Sequence, residues 1–543
     1  MSAGAERRAQ ALAAAAAVPV QPTDAVELHS AGRVLILGPL PAALAAAARL
    51  APVLACSVLA EDALVAATPP AGVALYFRQG RTLQVEGHLG AFRVVLGRGD
   101  AALDLGALLE PARPLFDLVL DLGAGAVCTQ DWPPLGYRHA PDAAALDAAL
   151  AELPELVGSF EKPRYFAYDA ALCVHGPKGL GGCRRCIDAC PAEAIISVGE
   201  RVQVDPKLCQ GGGVCASVCP SGAMRYRYPR PADALERLRR LLAAWLAAGD
   251  GRPVLLLYDA RADQPDWNAW PDGVLPVELE EIGSAGLEFW LGAFAFGAAR
   301  VCLARGAALP ARVARALDEQ LDLGRALLDG LGYPGDALAW VAAAAAPAAA
   351  LTGPAMPPLP PATYAGFDDK RSMLWAAIDH LYAHAPQRAE VLALSAGAPF
   401  GRIAVDTQAC TLCMACVSVC TPRALGDGGD TPKLTFIEGA CVQCGLCERA
   451  CPEHAISREP RLLVPFERRR VPVLLHEEPP FCCVVCGKPF ATPAMIRTIT
   501  AKLAHHPMFA GDGLRRLQMC DECRVKELFR GEGLGRAAPG RDA

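Results

Sequence analysis

The sequence predicts a multidomain protein of mixed α/β and α+β class: two α/β domains, two compact cysteine-rich modules and a four-cysteine C-terminal ribbon. Three observations carry this prediction. Short apolar runs alternate with helical periodicity over 31–155 and again over 231–345, the pattern of strands joined by helices. Two other stretches, 156–230 and 401–460, each hold a pair of cysteine runs with related spacing. Two Cys-x2-Cys pairs then fall within 478–530.

Length and composition set the limits. A chain of 543 residues can bury several cores. The net charge is −6 and no long Lys/Arg run is present, which argues against nucleic acid as a partner. Of the 23 cysteines, all but Cys56, Cys128 and Cys302 sit in short clustered runs. That distribution points to metal and a reducing compartment rather than to a disulfide scaffold. Buried structural thiols are the reading for Cys56 and Cys128.

Residues 1–30 read as an N-terminal arm. Arg7-Arg8 precedes a weakly apolar alanine run, so an Ala-rich helix is favoured over an export signal. From Arg33 the pattern tightens: Arg33–Gly38 reads as a buried strand, 41–50 as a helix and 53–59 as a second strand. Runs at 73–77, 82–86, 92–96 and 116–122 extend a mixed sheet. Gly38 ends a strand before a helix, where phosphate-binding turns occur. The local Gly-Pro-Leu-Pro lacks the glycine spacing of such turns.

Past Pro229 and Pro231, a helix over 235–248 leads to strands at 253–259, 274–279 and 301–304, with helices over 285–299 and 311–330. This alternation predicts a parallel α/β domain over 231–345. Glu278, Glu280 and Glu281 are candidates for an acidic docking edge, against a solvated strand end. An Ala/Pro stretch over 346–364 reads as a linker, being too interrupted by proline to span a membrane. A helical segment over 365–400 follows, with Trp375 and Leu381 on its apolar face. The expected location is cytoplasmic, with no membrane span.

The 401–460 module reads Cys410-x2-Cys413-x2-Cys416-x3-Cys420-Thr-Pro and then Cys441-x2-Cys444-x2-Cys447-x3-Cys451-Pro. Three thiolates on one tight loop reach three irons of a cubane; the fourth, starting away from the loop, ligates the cluster of the other half. One 4Fe-4S cluster is thus expected on Cys410, Cys413, Cys416 and Cys451. A second is expected on Cys441, Cys444, Cys447 and Cys420. This stretch resembles the dicluster ferredoxins over some fifty residues.

The 156–230 module repeats the plan irregularly. Cys173-x9-Cys183-x2-Cys186-x3-Cys190-Pro191 carries the glycine-rich insertion VHGPKGLGG, and in Cys209-x5-Cys215-x3-Cys219-Pro220 the second cysteine position is Gly212. The repeat extends past the cysteines, with an alanine and an apolar residue after each fourth ligand: Ala194-Ile195, Ala223-Met224, Ala424-Leu425 and Ala455-Ile456. A third 4Fe-4S cluster is expected on Cys173, Cys183, Cys186 and Cys219. Only Cys209, Cys215 and Cys190 remain for a fourth site, which leaves a 3Fe-4S cluster or an open-site 4Fe-4S cluster as alternatives.

Cys483-x2-Cys486 and Cys520-x2-Cys523, thirty-three residues apart, have the register of one tetrahedral structural zinc, favoured over a further iron–sulfur site or free thiols. Cys482 is spare in that scheme or exchanges with Cys483. His505 and His506 are expected at the surface.

The run VELEEIGSAGLEFWLGAFAFGAARVCL within 231–345 is similar to the delta subunit of methyl-viologen-reducing hydrogenases. The resemblance implies an electron-relaying domain; here only Cys302 remains of that family's cluster cysteines, so no two-iron cluster is expected. The whole layout resembles the large bacterial 4Fe-4S proteins that accompany formate dehydrogenases, which implies formate dehydrogenase or a related oxidoreductase as redox partner. The predicted function is a multi-cluster electron-transfer protein with no catalytic residues of its own. The alternatives are a flavin- or nucleotide-linked oxidoreductase subunit, against which the missing glycine-rich loop counts, and an assembly or maturation factor for a metalloenzyme.

Overall fold

The computed structural model describes residues 3–61, 66–249, 251–260, 271–342, 352–429, 431–509 and 513–531. Near the N-terminus, five parallel strands lie in the order Ala74–Phe77, Ala55–Ala60, Arg33–Gly38, Leu118–Asp121, Tyr137–His139. Every residue of the central strand Arg33–Gly38 is buried, as a parallel sheet covered on both faces requires. Val34 and Ile36 pack against Ala43, Ala47 and Leu50 of the helix Leu40–Leu50. Leu35 and Leu37 point the other way, onto Val85, Phe92 and Val94. Those residues belong to a separate antiparallel sheet of Leu83–His88, Ala91–Leu96 and Leu103–Asp104. The single mixed sheet expected from sequence is therefore two sheets, because the alternation in Ala91–Leu96 serves one covered face only. At Gly38 (φ 135°) an added Cβ would lie 2.8 Å from Leu122 Cβ. Close approach of strand ends accounts for this glycine.

Asp121 is 1 % exposed. Its carboxylate accepts from Gly123 N (3.0 Å), Val127 N (2.9 Å) and the Tyr137 hydroxyl. Truncation takes the acceptor from the buried Gly123 N–H and Tyr137 hydroxyl, while Val127 N keeps only the Tyr137 oxygen (2.9 Å), so Asp121→Ala is expected to cost this sheet about 3 kcal/mol. Native-state hydrogen exchange would read this as protection lost in Arg33–Gly38 and Leu118–Asp121 and kept elsewhere; unchanged protection would contradict it.

The first thirty residues are more than an arm. The helix Ala3–Ala16 packs on the helix Pro231–Ala247. Arg7 donates to the carbonyls of Trp245 and Gly249 (2.8 Å each) and lies over the Trp245 ring, while Arg8 donates to Val274 O and Pro271 O. Ala25–Ser30 then pairs antiparallel with Gly158–Pro163. Composition misled here because the partners of both segments lie more than a hundred residues away.

The second α/β domain has four parallel strands, in the order Val274–Leu279, Val254–Asp259, Arg300–Arg305, Leu338–Ala342. The last of these was not expected. The helix Lys370–Ala383 packs against Leu287–Ala295, sharing its core through Met373, Ala377, Ile378 and Trp290. Residues 346–351 of the expected linker lie outside the described residues. Its described part is anchored rather than free: Met356 N donates to Ala299 O (2.9 Å) and Ala362 N to Ala295 O (2.7 Å), with Met356, Leu359 and Ala362 buried. No helix among the described residues is long and apolar enough to cross a membrane.

Both cysteine modules have one plan. In the first, the strand pair Phe166–Tyr168/Met224–Tyr226 and the hairpin Ile195–Val198/Arg201–Val204 frame two short helices, Arg185–Ala189 and Val214–Ser217. In the second, Gly401–Val405/Ile456–Leu463 and Leu425–Asp427/Lys433–Phe436 frame Ala415–Ser418 and Leu446–Ala450. Val391–Ala393 and Val473–Glu477 extend the second module's sheets.

Candidate metal centres

The cysteine loops turn by left-handed residues at repeated offsets. Two and four residues after the first cysteine, φ is positive at Leu412 and Met414, at Gln443 and Gly445, and at Gly211 and Gly213. Three residues after the last cysteine it is positive again, at Glu193, Gly222, Arg423 and His454. Four of these ten positions hold glycine; the non-glycine ones cost about 1–3 kcal/mol each. What the turn achieves is donor placement. Gln443 N lies 3.5 Å from Cys441 Sγ, and the Leu412 and Gly211 N–H groups serve Cys410 and Cys209 in the same way. Ala455 N lies 3.3 Å from Cys451 Sγ, and Met224 N 3.4 Å from Cys219 Sγ.

The thiols gather across the halves of each module. Cys410, Cys413, Cys416 and Cys451 line one cavity, and Cys420, Cys441, Cys444 and Cys447 another. Cys190, Cys209 and Cys215 line a third, with Gly212 and Trp132. The three have cavity volumes of about 20, 20 and 30 Å³. Cys173, Cys183 and Cys219 act electrostatically on Cys186 and form the fourth group. None of these cysteines is paired in a disulfide.

Burial, then the charge of neighbouring thiols, pushes Cys416 and Cys447 up to about 12. Burial likewise pushes Cys441 up to about 11. Bare thiolates are thus disfavoured in these cavities, and a centre that takes up their charge fits the donor set. Ile456 and Leu434 cover the first cavity, and Leu425 and Phe436 the second, which fits the apolar residues picked out by the repeat.

The ribbon differs in kind. Among the described residues, Cys483, Cys486, Cys520 and Cys523 form the group whose sulfurs all lie within 4.8 Å of one another, close enough for a single ion. The Cys486 and Cys520 sulfurs are 3.7 Å apart, against ~3.8 Å for a tetrahedron with 2.3 Å bonds. Burial works to raise the Cys483 thiol, but N–H donors from Cys520, Cys486 and Val485 outweigh it and bring it down to about 6. Cys483, not its exposed neighbour Cys482, completes the group. His505 and His506 are exposed and outside it.

The four thiol groups follow one another in space. Within the first module Cys215 feels the charge of Cys186 and Cys219; within the second, Cys447 feels that of Cys416. Between modules, the insertion that delays Cys183 supplies Val174 and Leu180, which pack with Val419, Val442 and Leu446, bringing Cys183 and Cys444 into one apolar cluster.

Several cations at these loops escaped sequence reading, because distant segments supply them. Arg371 donates to Gly439 O (2.9 Å), Cys441 O (3.3 Å) and Pro220 O (3.4 Å), touching both modules. Arg312 donates to Cys190 O, Lys162 to Cys209 O, and Lys370 to Ala216 O and Ser217 O. The acidic edge, by contrast, breaks up: Glu278 is exposed, but Glu281 is 5 % exposed. Cys56, Cys128 and Cys302 are buried.

The family described as 4Fe-4S binding domain matches residues 202–225 and 434–457. Each match spans the second half of one module, around Cys209–Cys219 and Cys441–Cys451. No curated protein matches the chain. The protein thus carries ferredoxin-type 4Fe-4S domains, which point to electron transfer, together with a four-cysteine group able to hold a metal ion.

Proposed function

We propose that the protein is an electron relay in which four iron–sulfur clusters stand in a row. The order is Cys190/Cys209/Cys215, then Cys173/Cys183/Cys186/Cys219, then Cys420/Cys441/Cys444/Cys447, then Cys410/Cys413/Cys416/Cys451. The ribbon, holding a structural zinc, stands at the last end through Thr492, whose hydroxyl donates to Thr411 O at 2.7 Å. The observation that carries the reading is the packing of Cys183 and Cys444 into one apolar cluster, which makes two modules one path. The clusters supply one-electron chemistry. The chain's own residues hold the thiolates, donate N–H groups to sulfur and exclude water. Redox partner proteins at the two ends complete the relay; the sequence resemblance favours a formate dehydrogenase or related oxidoreductase in the cytoplasm.

The test breaks the row in its middle. Cys444→Ala is expected to remove one cluster, and electrons delivered to the 401–460 module should then reach the 156–230 module at least tenfold more slowly in a freeze-quench experiment. Unchanged transfer would reject the serial path.

One observation favours the flavin-linked alternative. A cavity of about 390 Å³ lies beneath the helix Ala3–Ala16 and is lined by Ala216 and Met224, next to Cys215 and Cys219. Its size falls in the ~300–1,000 Å³ range of cofactor pockets. Release of a fluorescent flavin on denaturing the anaerobically purified protein would favour that alternative, and its absence the simple relay.

A further inference from the structure

At Gly212 the backbone of a ligand loop is present without the ligand. Gly211 and Gly213 take φ of 87° and 68°, matching Gln443 and Gly445 at 54° and 78° around Cys444. The space beside Gly212 is nevertheless filled. A Cβ there would lie 2.9 Å from Trp132 Cζ3, 3.2 Å from its Cη2 and 3.6 Å from Pro191 Cγ. Trp132 comes from outside the module and is held in place: its N–H donates to Pro191 O (3.0 Å), and its carbonyl accepts from the Gln210 amide (3.4 Å), which also donates to Pro133 O (2.8 Å). Beyond the three thiols, the cavity wall is made mainly of apolar side chains such as Phe166, Ile195, Val204 and Val214.

A four-iron cluster on three thiolates needs a fourth donor for its last iron, from a side chain or from solvent. Glycine offers none, and the edge of an indole ring has no lone pair to give. We infer that Cys190, Cys209 and Cys215 hold a three-iron, four-sulfide cluster, and that Trp132 closes the corner where a fourth iron would sit. The inference rests on the reading of this cavity as a cluster site and decides which cluster it takes. Trp132 is here a positioning residue that excludes both the iron and the water or thiol that could cap it.

The wild-type protein, purified anaerobically and oxidised, is expected to show a nearly isotropic electron paramagnetic resonance signal close to the free-electron value, integrating to about one spin per chain, with about fifteen irons. The corner is then tested by reduction and addition of ferrous iron: a neutral reduced three-iron core plus one ferrous ion gives a four-iron core of charge two plus, with no further electron needed. Gly212→Cys alone should keep the oxidised signal, because its Cβ meets the indole. Gly212→Cys with Trp132→Ala should gain about one iron per chain and lose the signal. Equal conversion of the single and double variants would overturn the role of Trp132. A wild type silent when oxidised, with about sixteen irons, would overturn the three-iron assignment while leaving the relay standing. About twelve irons and no signal would instead remove the fourth cluster site itself. The wild-type measurement decides between these even if a variant fails to fold.

Discussion

Replacing Arg371 by glutamine is expected to lower the reduction potential of the Cys420/Cys441/Cys444/Cys447 centre by roughly 90–130 mV, with a smaller shift at the centre of Cys219. Arg371 lies where the modules meet, donating to Cys441 O and Gly439 O on one side and to Pro220 O on the other. Its guanidinium faces the rings of Trp375 and Phe400 at 5.6 and 5.3 Å. Burial lowers it to about 10, with the charges of Cys441 and Asp369 acting in the opposite direction, so it keeps its proton at neutral pH. A fixed cation favours the more negative, reduced state of a cluster, so losing it lowers the potential. A unit charge over roughly 5–10 Å at an effective dielectric of about 20 is worth about 2–3 kcal/mol, and about 59 mV corresponds to a tenfold change for one electron. Potentiometric titration followed by electron paramagnetic resonance reads the shift directly. Arg371→Lys should recover most of the potential, since it restores the charge without the full set of hydrogen bonds. Potentials that stay put in Arg371→Gln while thermal stability falls would reduce the residue to a structural clamp.

Cys520→Ser is expected to unfold the ribbon and nothing else. The buried centre of the ribbon consists of Cys483, Met519, Cys520 and Cys523 with Phe490 against them, too little apolar surface to fold unaided. A structural zinc contributes about 10–16 kcal/mol to a domain of this kind, and three thiolates retain only part of that. The variant should lose its capacity to hold a metal ion and become protease-sensitive over 482–523, with visible cluster absorbance intact. Cys482→Ser, at an exposed cysteine outside the four-sulfur group, should keep the zinc and serves as control. Loss of all visible absorbance in Cys520→Ser would mean that the ribbon is not separable from the clusters. The point of contact to watch is Thr492, which caps the helix Pro493–Leu503 by accepting from Met495 N while its hydroxyl reaches Thr411 beside Cys410.

How legible each part was depends on the range of the interaction that makes it. The strand Arg33–Gly38, the helix Ala311–Gly330 and each Cys-x2-Cys pair of the ribbon are written in patterns of a few residues, and there the sequence pattern and the structure agree. Ala285–Ala299 proved a shorter helix, Leu287–Ala295, because Gly286 and Gly297 bound it at positions where periodicity is silent. The fourth strand Leu338–Ala342 was hidden by the alanine run that follows it.

By itself the sequence determined the chemistry: cysteines at fixed short offsets, regular in 401–460 and recognisable with one insertion and one missing ligand in 156–230, dictate which loops form and which thiols can face a common centre. Loop geometry of this kind is set by bonds and φ angles over five to ten residues, so it is written locally. Only the tertiary structure decided what surrounds those thiols. Trp132 at Gly212, Arg371 between the modules and Val174 against Leu446 come from segments far apart in the chain. Nothing in the local pattern of a tryptophan, an arginine or a valine records which distant loop it will cover, because that choice is made by the packing of whole domains, where many weak contacts are satisfied at once.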